Sequence, residues 1–140
     1  MGQKNKKLDR VRELFFEYPG KSFTIREIAK KTKIPKSTVK NYLDILKSES
    51  LVAKDNKAEV SRLFKIKKTS YYIEKLFEVG LVDYIISKLN PETIVLFGSF
   101  RKGESEKDSD IDLFITTHSK EKLDFRKYEE KLKHRIDLHL

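Results

Sequence analysis

A chain of 140 residues with 38% hydrophobic side chains has room for one ordinary domain or two very small ones. It contains no cysteine, which excludes a disulfide framework or a thiolate metal centre and fits a reducing, cytoplasmic setting. The net charge of +9 is uneven: residues 1–68 hold 19 Lys and Arg against 8 Asp and Glu, a net of +11, and residues 69–140 hold 12 against 14, a net of −2. A basic module, 1–68, is therefore expected to precede a slightly acidic one, 69–140, and the basic half has the charge that polyanion binding favours. No apolar run approaches the ~20 residues needed to span a bilayer, so no membrane partner is expected.

In the basic half, Leu8, Val11, Leu14, Phe15 and Tyr18 recur at helical spacing until Pro19-Gly20 stops them. Thr24-Ile25-Arg26-Glu27 has the form of a capping box and predicts a second helix to about Lys31, with Ile25, Ile28 and Ala29 inward. Pro35 can open a third helix, whose buried stripe is Val39, Leu43 and Leu46, widened by Tyr42 and Ile45. The other side of that helix presents Lys36, Ser37, Lys40, Asn41, Asp44 and Lys47, a polar and mostly basic face suited to a major groove, where Asn41 can read an adenine edge. Two β-prone runs follow, Leu51–Lys54 and Val60–Ile66, around the turn-rich Asp55-Asn56-Lys57-Ala58-Glu59. This pattern resembles a winged helix-turn-helix domain over roughly residues 6 to 68. The resemblance implies double-stranded DNA as partner, with Lys57 in the wing.

Thr69 to Leu89 reads as a connector helix running into the first helix of the second module, with Gly80 its weak point and Val79–Leu89 its last part. After Asn90-Pro91, Thr93–Phe97 is a continuous apolar run of strand length, expected to be covered on both sides, and Gly98-Ser99 sits at its exit. Glycine there lets a phosphate approach the backbone, and the serine hydroxyl can donate to it. In Asp110-Ile111-Asp112-Leu113-Phe114-Ile115, strand alternation sends both carboxylates to one face and the apolar residues to the other. Ser119 to His134 predicts a helix, and Arg135–Leu140 repeats the alternation, so that Asp137 faces away from the core. If the last two strands pair, three carboxylates meet on an open sheet face and suit two Mg²⁺ ions. His139 shares the face of Asp137 but is assigned no role.

Gly98-Ser99, ten intervening residues and Asp110-x-Asp112, with Gly103 in the spacer and Ser109 before the first Asp, resemble the minimal nucleotidyltransferases of the DNA polymerase beta-like superfamily. The resemblance covers about residues 80 to 140. It implies an α+β protein: a winged helix-turn-helix domain followed by a small mixed sheet with helices on one face. It also implies transfer of a nucleoside monophosphate, with ATP the favoured donor. On it, Gly98, Ser99, Arg101, Lys102 and Ser109 contact nucleotide, and Asp110, Asp112 and Asp137 bind two Mg²⁺ ions, for which Mn²⁺ can substitute. Asp137 doubles as base. The acceptor implied is a protein such as a HEPN-type toxin, as for members that act as antitoxins. The competing expectation is a DNA-binding transcriptional regulator whose nucleotidyltransferase domain senses nucleotide or is inactive. A homodimer joined through Phe16, Tyr71 and Phe100 is a further expectation. Relatives continue beyond the third-carboxylate strand, so a partner or more chain is expected to complete the pocket.

Overall fold

A computed structural model describes residues 5–140, which divide into two compact units between Phe64 and Lys65, four residues before the boundary drawn from charge. Each unit is treated by itself.

The first unit holds three helices, α1 (Lys6–Glu17), α2 (Ile25–Thr32) and α3 (Lys36–Ser48). The Asn5 side chain accepts the Leu8 amide at 3.0 Å and so starts α1. The capping box forms: Thr24 Oγ1 accepts the Glu27 amide and Glu27 Oε1 accepts the Thr24 amide, both at 3.1 Å. That backbone amide, helped by Lys21, holds the Glu27 carboxyl below its ordinary value. Lys33, left-handed at φ 59°, ends α2. Three residues later, after Pro35, α3 begins. Val11, Phe15, Ile28, Val39, Leu43 and Leu46 make the core, and Phe15 meets Phe23 edge-on at 5.4 Å.

Three expectations fail in this unit. Ile45 does not widen the α3 stripe; it is exposed. Phe16, expected on the surface for dimerisation, is buried and packs against Phe64 at 5.3 Å. In place of the expected two-stranded wing there is a short hairpin: Ala53 N donates to Lys57 O and Glu59 N to Leu51 O, with single bridges pairing Val52 to Ala58 and Ser22 to Lys57. Its return arm is therefore 57–59, and Val60–Ile66 is not a strand. Residues from Arg62 onward open α4 (Arg62–Glu78). Ser61 Oγ accepts the Phe64 amide at 3.1 Å in the manner of a helix cap, and Phe64, Lys68, Tyr72 and Leu76 are buried at four-residue spacing. That period, not the β-propensity of Val60 to Ile66, decides the structure.

The second unit contains most of α4, then α5 (Leu81–Leu89), β1 (Thr93–Phe97), α6 (Gly98–Lys102), β2 (Ile111–Thr116), α7 (Arg126–Leu132) and β3 (Ile136–His139). The sheet order is β1-β2-β3, with β1 antiparallel and β3 parallel to β2, a mixed sheet. Ile111, Leu113 and Ile115 are buried on one face, as alternation requires. Leu81, Ile85 and Leu89 of α5 and Tyr128 and Leu132 of α7 supply further apolar burial. The expected connector helix is broken at Gly80 into α4 and α5. β1 is an edge strand with Val95 exposed, not a strand covered on both sides. Phe100, also expected at the surface, is buried against Tyr72 and His134, both at 4.8 Å between ring centres.

The helix expected over 119–134 is reduced to Arg126–Leu132. Short polar side chains upstream hold the backbone in other shapes: Thr117 Oγ1 accepts the Ser119 amide, Ser119 Oγ the Glu121 amide and Asp124 Oδ1 the Arg126 amide. Among the described residues no helix is long and apolar enough to cross a membrane. Because Thr24 satisfies an amide that nothing else caps, Thr24→Ala should lower unfolding free energy by about 1 kcal/mol in urea titration.

Candidate active site

The open face of the sheet is built by register. β1 sets Phe97 opposite Asp112, and β3, running parallel, sets Asp137 level with Asp112 on the other side. The next row on the same face is Val95, Phe114 and His139. The parallel pairing therefore delivers two carboxylates from separate segments to adjacent positions, which in a sheet lie ~4.8 Å apart. His139 Nε2 lies 3.2 Å from Asp137 Oδ2 and 3.8 Å from Asp112 Oδ1. One donor atom from each of the three residues lies within 4.8 Å of the others.

Burial, and then the neighbouring charge of Asp137, push the Asp112 carboxyl above its ordinary value, while His139 opposes the shift. An acidic pair held together against its own repulsion, with an imidazole beside it, has the donor chemistry of a divalent-cation site.

Gly98 is a second structural requirement. Its φ of +72° is in the left-handed region, and a Cβ there would strike Asp112 Oδ2 and stand 3.1 Å from Asp112 Cγ. The glycine thus makes room for the Asp112 carboxylate as well as for the turn from β1 into α6. Ser99 follows in the first turn of α6, half-buried.

The other expected residues lie apart from this group. Asp110, exposed and just ahead of β2, is outside the three-residue cluster, though its charge adds the smallest contribution to the upward push on Asp112. Arg101 and Lys102 occupy the far end of α6 and line a shallow cleft with Lys65, Ile66, Thr69 and Ser70. Ser109 serves its own loop: its Oγ accepts the Glu106 amide at 2.8 Å, and His134 Nδ1 donates to its carbonyl at 2.7 Å. In the first unit, Lys36, Ser37, Lys40 and Asn41 are exposed on α3, Lys47 is half-buried and Lys57 is exposed in the hairpin. The residue that sequence reasoning passed over is His139, although alternation had already put it on the face of Asp137.

Residues 80–140 match the model of a protein family described as a nucleotidyltransferase domain. No curated protein and no solved structure matches the chain. The match supports transfer of nucleoside monophosphates in general, and nucleotidyltransferases commonly use divalent metals.

The raised Asp112 carboxyl has a consequence for stability. A group that binds its proton more tightly when folded favours the fold below its unfolded pKa, and that advantage is lost as pH rises through the folded value. The penalty grows as pH rises past the unfolded value. Asp112→Asn should therefore raise the melting temperature at pH 7 in metal-free buffer, and the gain should vanish below about pH 3.

Proposed function

We propose that residues 69–140 transfer a nucleoside monophosphate from a nucleoside triphosphate, with ATP the favoured donor, to an acceptor protein such as a HEPN-type toxin. The observation that carries this reading is the register of Asp112 with Asp137 beside Gly98-Ser99. Gly98 and Ser99 bind the triphosphate through backbone amides and the serine hydroxyl. Asp112 and Asp137, joined by Asp110 when nucleotide is bound, hold divalent ions, Mg²⁺ or in its place Mn²⁺. Once bound, the ions supply neutralisation of triphosphate and pyrophosphate charge and lower the pKa of the acceptor hydroxyl. Asp137 takes the acceptor proton. The acceptor oxygen bonds to the α-phosphorus as the bond from that phosphorus to the α–β bridging oxygen breaks, and pyrophosphate leaves. Arg101 and Lys102, at the far end of α6, and Ser109, whose hydroxyl accepts the Glu106 amide, contact nucleotide after a local rearrangement.

Incubation with α-labelled ATP, Mg²⁺ and candidate acceptors should transfer label, and Asp112→Asn or Asp137→Asn should reduce transfer by about 100-fold or more, the order seen when a group stabilising transition-state charge is removed. Absence of transfer from any triphosphate to any protein, RNA or small acceptor overturns the reading.

The exposed basic face of α3 supports a second reading, a DNA-binding regulator whose second unit senses nucleotide. Lys36, Ser37, Lys40, Asn41 and Lys47 contact double-stranded DNA, with Lys57 reaching the backbone from the hairpin. Lys40→Glu should weaken DNA binding and reduce the salt slope by about 1 or more, while Asp112→Asn leaves both unchanged. Salt-independent binding, read by fluorescence anisotropy, removes this reading.

A further inference from the structure

We propose that His139 is a direct metal ligand and that Asp112, Asp137 and His139 form a mixed nitrogen–oxygen site that takes Co²⁺-, Ni²⁺- or Zn²⁺-type ions in preference to Mg²⁺. The inference rests on the reading of Asp112 and Asp137 as cation ligands and adds which free cation they hold most tightly without nucleotide, Mg²⁺ remaining the ion that enters with the triphosphate.

Geometry is the first support. A cation bound at ~2.1 Å holds adjacent ligand atoms about 3.0 Å apart in an octahedron and about 3.4 Å apart in a tetrahedron. His139 Nε2 is 3.2 Å from Asp137 Oδ2 and 3.8 Å from Asp112 Oδ1, and all three donor atoms lie within 4.8 Å of each other. Small side-chain adjustments bring all three onto one ion. Asp110, the carboxylate whose spacing suggested a ligand, is not in the group.

Ring orientation is the second support. The Phe97 ring meets the His139 ring edge-on at 5.1 Å, with 66° between the planes. Phe97 is itself level with Asp112 in the sheet. The imidazole is thus braced from β1 while its Nε2 faces both carboxylates.

Chemistry then selects the ion. Mg²⁺ takes oxygen donors and keeps much of its water, whereas an imidazole among carboxylates suits the later first-row ions. A protonated His139 serving only as counter-charge to the two aspartates is the competing role. It predicts the opposite effect, because removing a cation from beside the carboxylates strengthens metal binding.

The test uses the full, untagged, metal-stripped chain, titrated with Co²⁺ alone by visible absorption and with Mg²⁺ alone by calorimetry. His139→Ala should weaken Co²⁺ by at least about 10-fold and change its absorption spectrum, with Mg²⁺ affinity changed less than about 3-fold. The exposed His118, which pairs with Glu92, controls for adventitious imidazole binding, and His118→Ala should alter neither titration. Unchanged or tighter Co²⁺ binding in His139→Ala, with binding lost in Asp137→Asn, overturns the His139 assignment and leaves the carboxylate site standing. Equal loss of Co²⁺ and Mg²⁺ in His139→Ala also overturns the proposed selectivity. His139-dependent Co²⁺ binding in a protein that transfers no label sinks the transferase reading and keeps this one.

Discussion

Two aspartates held side by side by a parallel strand pairing are the constraint around which the second unit is organised. Register leaves them no choice. Ile111, Leu113 and Ile115 must face inward, so Asp112 must face out, and pairing with β3 brings Asp137 level with it. Like charges opposite one another cost roughly 0.2–1 kcal/mol, against about 1.5–3 kcal/mol for each large apolar side chain buried. Burial wins easily, and a slip of one residue would turn the carboxylates into the core. The parallel pairing itself needs a crossover, and α7 supplies it: Glu129 on that helix accepts the Ile136 amide at 2.8 Å and so satisfies the start of β3.

The same constraint explains why the site is demanding elsewhere. Asp112 is partly buried beside another carboxylate, so its charge is unfavourable until something positive arrives. Gly98 has no side chain because Asp112 occupies the space where one would sit. His139 answers both carboxylates at once. The open face also carries Val95 and Phe114, exposed beside the polar row, so the floor of the site is partly apolar.

The sequence was most legible where period and chemistry coincided. The capping box of Thr24 and Glu27, the buried stripe of Val39, Leu43 and Leu46, and the alternation around Asp112 all announce themselves within a few residues. Legibility failed where an apolar run fits two periods. Val60–Ile66 is rich in β-prone residues, yet Phe64 belongs to a four-residue row that continues through Lys68, Tyr72 and Leu76. A buried lysine hides such a row, because its burial rests on a partner distant in sequence, the Ser105 carbonyl that Lys68 Nζ reaches. Phe16 and Phe100 are illegible for a related reason: Phe16 is one residue off the stripe of Phe15, Phe100 follows the Gly98-Ser99 turn outside any stripe, and each is enclosed by an aromatic from elsewhere. His139 was visible in the alternation, but its approach to Asp112 depends on strand order, which local pattern does not carry.

The spacer between Gly98-Ser99 and Asp110 is pinned near both ends. A Cβ on Gly103 would collide with the backbone of Lys65, so the loop leaves α6 pressed against α4. Lys68 draws on the Ser105 carbonyl, and His134 draws on the Ser109 carbonyl. The turn between these points is closed as well, since the Ser109 amide donates to the Glu106 carbonyl at 3.1 Å and the Glu106 amide to Ser109 Oγ at 2.8 Å. The interval thus works as a ruler: lengthening or shortening it would shift the whole aspartate strand against its glycine seat.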